Sequence, residues 1–188
     1  MLKHLQRVDL AHLAADRAMR FAEESADPLM IGWAHWNLGQ SMLSDDMHQI
    51  AYDVARRGIE LLQPHVADGD QRHIKALGAL HLLAAISAAR SGDDDEARET
   101  VRGPAAQLAE RVEDGAAVYD LAFFGPTNVA IHMASIEHDT GRPETVLRIA
   151  DDIDLRRTPR SNGVRPTWDT SPAPARIWAT TPPACSTS

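Results

Sequence analysis

The sequence predicts an all-α fold built from stacked helix hairpins. Three observations carry this: apolar residues recur at helical spacing, polar breaks with Pro, Gly or Asp recur between the helices, and the core residues are Ala, Leu, Ile and Val rather than aromatics. Of 188 residues, 44% are apolar but only 5% aromatic. Strands favour β-branched and aromatic residues, so an Ala- and Leu-rich core points to helices.

The elements follow in order. Leu5, Val8, Leu10, Leu13, Ala14, Ala18 and Phe21 fall near the i, i+3, i+4 spacing of one buried face. Asp27-Pro28 sets a cap residue before a Pro at the first helical position, so a second helix is expected from Pro28 to Leu43. Ser44-Asp45-Asp46 is a polar break, and a third helix runs from Met47 to Leu62, ended by Pro64. After the polar loop His65–Asp70, a long apolar helix covers Gln71 to Arg90. Gly92 suits a left-handed C-terminal cap. Asp94 to Val112 is its partner, with a kink or short break expected at Gly103-Pro104. A third pair runs from Pro126 to Asp139 and, after Gly141, from Pro143 to about Asp152.

Repetition of a helix pair is the mark of a helical solenoid. The tetratricopeptide pattern sets a small residue midway along the first helix and another early in the second, where two helices approach closely. Gly39, Ala51, Ala55, Gly58 and Pro64 fit it; so do Ala85, Gly92 and Ala97, and then Ala134, Gly141 and Ala150. The predicted fold is therefore a tetratricopeptide-like α-solenoid over residues 1–155. Gly39, Ala85 and Ala134 lie 46 and 49 residues apart, so the repeat is longer and more degenerate than the standard unit of about 34 residues.

Residues 156–188 break the pattern. They hold six prolines and no apolar period, and an interior proline costs a helix about 3 kcal/mol. Composition predicts a disordered, Pro-rich tail, although Trp168 and Trp178 are unusual in one. A second reading is a frameshift: with G/C-ending codons, the frame read from the third base of the Pro159 codon can encode the next helix, turn and helix start.

Charge and composition restrict the function. The net charge is −8. Residues 155–188 hold five Arg and one Asp, a balance of +4; residues 1–154 hold 14 basic and 26 acidic residues, a balance of −12. So acidic a body repels phosphate, and neither nucleic acid nor an anionic membrane is expected to bind it. Cys185 is the one cysteine, which excludes an internal disulfide and a Cys-based zinc cluster. No apolar run reaches membrane-spanning length and the N-terminus lacks a secretory pattern, so a cytoplasmic location is expected.

The motifs of catalysis are absent: no G-x-S-x-G, P-loop, G-x-G-x-x-G or HExxH occurs. His132 and His138 are six apart, so they do not share a helix face. Neither a metal site nor a cofactor is expected. Asp93-Asp94-Asp95-Glu96 lacks the alternating ligands of a calcium loop and fits a helix N-terminus instead. The expected site is a concave groove lined by the first helix of each pair. It projects to Trp33, Trp36 and Gln40, to Leu82, Ile86 and Arg90, and to Asn128, Ser135 and His138. Trp offers a large contact at little entropic cost, and Asn a donor and an acceptor. Each has a plainer role open to it: core packing for Trp33, Trp36, Leu82 and Ile86, capping for Asn128, packing or solvation for Ser135 and His138.

The runs VDLAHLAADRAMRFAEESADPLMIGWAHWNLGQSML and FFGPTNVAIHMASIEHDTGRPETVLRIADDIDL, with the hairpin between them, resemble the C-terminal helical-repeat half of actinobacterial helix-turn-helix regulators of the Xre class. The resemblance spans Val8 to Leu155 and is most specific over Phe124–His132. It implies a region that senses a peptide or small ligand, or dimerises, within a transcriptional regulator. The basic helix-turn-helix segment and the final repeats of such proteins have no counterpart in this sequence. A free-standing adaptor using the same groove for a protein partner is the alternative. Loss of the final repeat would leave Leu147, Ile149 and Ile153 available for dimerisation.

Overall fold

The computed structural model describes residues 8–67, 69–112 and 124–153. All regular structure among them is helical. The Pro-rich tail and any frameshift within it lie outside the described residues.

The helices are α1 (Val8–Ser25), α2 (Pro28–Ser44), α3 (His48–Leu62), α4 (Gln71–Ser91), α5 (Asp94–Thr100), α6 (Ala106–Ala109), α7 (Pro126–Asp139) and α8 (Pro143–Asp152). Their ends follow the local chemistry. Asp27 Oδ1 accepts from the Leu29 amide at 2.9 Å, with Pro28 in the first turn. Asp70 caps α4 through the Arg72 amide at 2.8 Å. Asp93 caps α5 through the Glu96 amide at 3.2 Å, so the acidic run begins a helix as expected. Gly92, at φ +87, closes α4 in the left-handed conformation that costs a side-chain-bearing residue most.

α3 ends at Leu62, as the sequence predicts, and Pro64 sits in the 3₁₀ turn Gln63–Val66 that follows and buries Val66. The kink or short break expected at Gly103-Pro104 takes the form of an interruption of the α-helix. Val101–Ala105 widens into a π-helical turn between α5 and α6, which accommodates a proline that has no amide hydrogen to donate.

The helices form two layers. α2, α4 and α7 lie side by side, α4 touching both neighbours. The second layer holds α3, packed on α2 and α4, then α5, the π turn and α6, then α8, packed on α7. α4 is the centre, with an unbroken buried run from Ala76 to Ala89. Small residues permit the close crossings. A Cβ on Gly39 would lie 2.6 Å from Leu83 Cδ2, and one on Gly58 would lie 2.8 Å from His35 Cβ. A Cβ on Gly78 would overlap the Phe124 ring, which locks the start of the α7 segment onto α4. Ala51, Ala55, Ala85 and Ala97 are fully buried. Ala134 is half-buried and Ala150 exposed, so the third pair is looser.

The expected buried face of α1 is not the one used. Leu13 and Phe21 are 46% and 70% exposed, and Ala14 and Ala18 are also on the surface. Ala15 and Ala22 are buried instead. α1 packs on α2 alone at any extent, and the alanine side permits the closer approach.

Polar links join the helices within and between the layers. Tyr52 on α3 donates to Glu96 on α5 at 2.7 Å. Burial, followed by that bond and the carboxylate charge, pushes the phenol pKa up to about 12. Glu137 on α7 is fully buried and faces Arg98 at 3.6 Å, Arg102 at 2.6 Å and Arg142 at 4.0 Å. One carboxylate thus ties α7 to α5, the π turn and the entry to α8.

Candidate binding groove

A groove opens where α2, α4 and α7 meet. Its cavity volume is about 40 Å³, and the space beyond it is open to solvent. Leu43, Leu82, Leu83, Ile86 and Ile131 supply its apolar surface; Gln40, Ser44, Arg90, His132 and Ser135 supply its polar groups.

Local helix geometry explains the set. Gln40, Leu43 and Ser44 fall on one stripe of α2, and Ser44 Oγ turns back to the Gln40 carbonyl at 2.8 Å. Leu82, Ile86 and Arg90 are successive i, i+4 neighbours on α4, so the last lies at the groove's end. Ile131 and Ser135 repeat that spacing on α7. Gln40, Ile86 and Ser135 each follow by one residue the small residues Gly39, Ala85 and Ala134.

His132 has a defined orientation. Its Nδ1 donates to the Asn128 carbonyl at 2.9 Å, which leaves Nε2 as the ring's acceptor. Burial pushes its pKa down, opposed by that same bond, so the ring stays neutral at neutral pH. Arg90 Nε stands 3.9 Å from Asp139 Oδ2, beyond hydrogen-bond length, and both side chains are about a third exposed.

The sequence-predicted residues divide. Gln40, Arg90 and Ser135 meet in the groove, with Leu82 and Ile86. Trp33 and Trp36 do not line it; half-buried, they pack against the core and meet edge-to-face at 5.8 Å. Asn128 acts through its backbone carbonyl, one helical turn from the groove. His138 is exposed at the end of α7. Leu43, Ser44, Leu83, Ile131 and His132 were not projected. Ile131 and His132 sit three and two residues before the small Ala134, so adding the preceding turn on α7 would have found them.

No group of three or more metal-ligating side chains stands together among the described residues. None of their helices is long and apolar enough to cross a membrane. No family model, curated protein or solved structure matches the chain.

Proposed function

We propose that the chain is a tetratricopeptide-like solenoid serving as the peptide- or ligand-sensing and dimerising region of a transcriptional regulator. It acts by binding rather than catalysis, in the cytoplasm, and DNA contacts are made by a separate domain. The observation that carries this reading is the convergence of Gln40, Ile86 and Ser135 in one groove. Each stands one place after the small mid-helix residue of its pair, as equivalent positions of a repeat would. An apolar surface edged by a few polar groups suits a ligand held by shape and a few directed bonds. Dimerisation is assigned to α8, on which no residue is buried and Leu147 is 68% exposed.

Two measurements test the reading. Titration of the isotope-labelled chain with a hexapeptide pool with free termini should shift the signals of Leu82, Ile86, Ile131 and Ser135. Ser135→Trp, which fills the groove, should abolish those shifts, and a pool that leaves the wild-type groove signals unmoved would sink the sensing role. Fused behind a monomeric DNA-binding domain of known operator, the chain should restore repression, and Leu147→Glu should remove it. Equal repression by the fused variant would show that α8 does not dimerise the chain.

A further inference from the structure

The groove's lining is chemically unlike the rest of the chain. The protein has 27 acidic residues and a net charge of −8, yet among the described residues none that line the groove is Asp or Glu, and Arg90 is the single cation there. Asp139 Oδ2 stands 3.9 Å from Arg90 Nε, close enough for an ion pair but beyond hydrogen-bond length. The planar fork therefore keeps its donors available, in the geometry that matches a carboxylate.

We infer that the groove holds the C-terminal residue of a peptide, with its apolar side chain over Ile86 and Ile131 and its carboxylate on Arg90. This rests on the groove being the binding site, as proposed above. The spacing limits the ligand: Ile86 and Arg90 are i, i+4 neighbours, roughly 6 Å apart. The carboxylate must lie within a few bonds of the apolar group. The C-terminal residue of a peptide has that shape and, unlike a short acyl acid, brings an N–H that His132 Nε2 can accept. Ser135 and Gln40 add hydrogen-bonding groups on the facing helices. His132 Nε2 offers an acceptor to a ligand N–H, and the neutral ring does not compete with Arg90 for the anion.

The test uses the full chain and four probes at pH 7: N-acetyl-Leu-Leu, its C-terminal amide, octanoate and octanamide. Methyl signals of Ile86 and Ile131 and the Arg90 Nε signal report binding. N-acetyl-Leu-Leu should bind about tenfold more tightly than its amide, the loss expected when a charge-assisted bond is removed. Arg90→Gln should erase the difference by bringing acid binding down to the level of the amide. Asp139→Asn should tighten acid binding by about two- to threefold, because a weak competing pair is gone. Preference for the dipeptide acid over octanoate supports the assignment; preference for octanoate overturns the peptide terminus in favour of an acyl acid. Equal binding of acid and amide overturns it and leaves the groove as a peptide site. If all four probes fail while the hexapeptide pool still shifts the groove, the carboxylate assignment alone falls.

Discussion

α4 and α8 are opposite cases of helix burial. From Ala76 to Ala89 every residue of α4 is buried, polar His81 and Ser87 included. α8 buries none, although its apolar residues Val146, Leu147 and Ile149 gather on one side of the helix. A helix apolar nearly all round has neighbours on every side. A sharply two-faced helix has a face that needs a partner, but its period does not say where that partner is. α7 covers only part of α8. α1 repeats the lesson, since its Leu13 and Phe21 stripe stays exposed while Ala15 and Ala22 pack on α2.

The contrast sets a series of expected effects. The largest belongs to α4. Leu80 is fully buried, and Leu80→Ala should cost about 2–5 kcal/mol of unfolding free energy through lost burial and a cavity. A shift in urea midpoint worth under about 1 kcal/mol would mean that the α4 core is loosely packed.

Acid should also act on α4. Burial, with the Arg56 charge second, pushes the His81 pKa from 6.5 down to about 4. Between those values the unfolded chain binds the proton and the folded chain does not. Stability is therefore full above pH 6.5, falls as pH drops towards 4, and loses nothing further from this group below 4. The loss is up to about 3 kcal/mol. His132 acts in the same direction. Urea unfolding at pH 7.5 and 4.5 should show a smaller difference in His81→Gln than in the wild type; identical differences would remove His81 from the account.

Glu137 comes next, because it couples the loosely held third pair to the rest. Glu137→Gln leaves Arg98, only 12% exposed, without its charge partner on α7. Arg102 and Arg142 are half-exposed and regain water. The cost should be about 2 kcal/mol, and hydrogen exchange should rise in α7 and α8 before α2 and α3. Uniform loss of protection would show that α7 is not a separable unit.

The smallest effect is expected at Leu147. At 68% exposure, Leu147→Ala should change monomer stability by less than about 0.5 kcal/mol. A larger loss, measured at a concentration where the chain is monomeric, would place Leu147 inside a core rather than on a free face.

Helix existence and ends were legible because they are set by residues acting locally: Asp27 and Pro28, Asp70, Asp93, and Gly92. Close crossings were legible for the same kind of reason, since Gly39, Gly58, Ala51 and Ala55 leave room that larger residues would fill. The orientation of each helix about its own axis was not local. It decided that α1 would use its alanines and that Trp33 and Trp36 would turn to the core. Contacts distant in sequence were equally hidden: Phe124 on Gly78 joins residues 46 apart, and Glu137 answers arginines on three elements. In the groove, position relative to a small residue located Gln40, Arg90 and Ser135. His132 needed the actual rotation of α7.

The π turn at Val101–Ala105 reads as a one-residue insertion stored inside a helix. Each residue of an α-helix advances the side chains by about 100°, so the extra residue is absorbed there instead of being passed down the chain. Leu108, Ala109 and Val112 keep their inward register for that reason. A chain lacking Gly103 could close Val101–Ala105 into an ordinary α turn and present the same apolar stripe downstream. A change of one residue in length would then be spent inside the turn, and all that follows would keep its address.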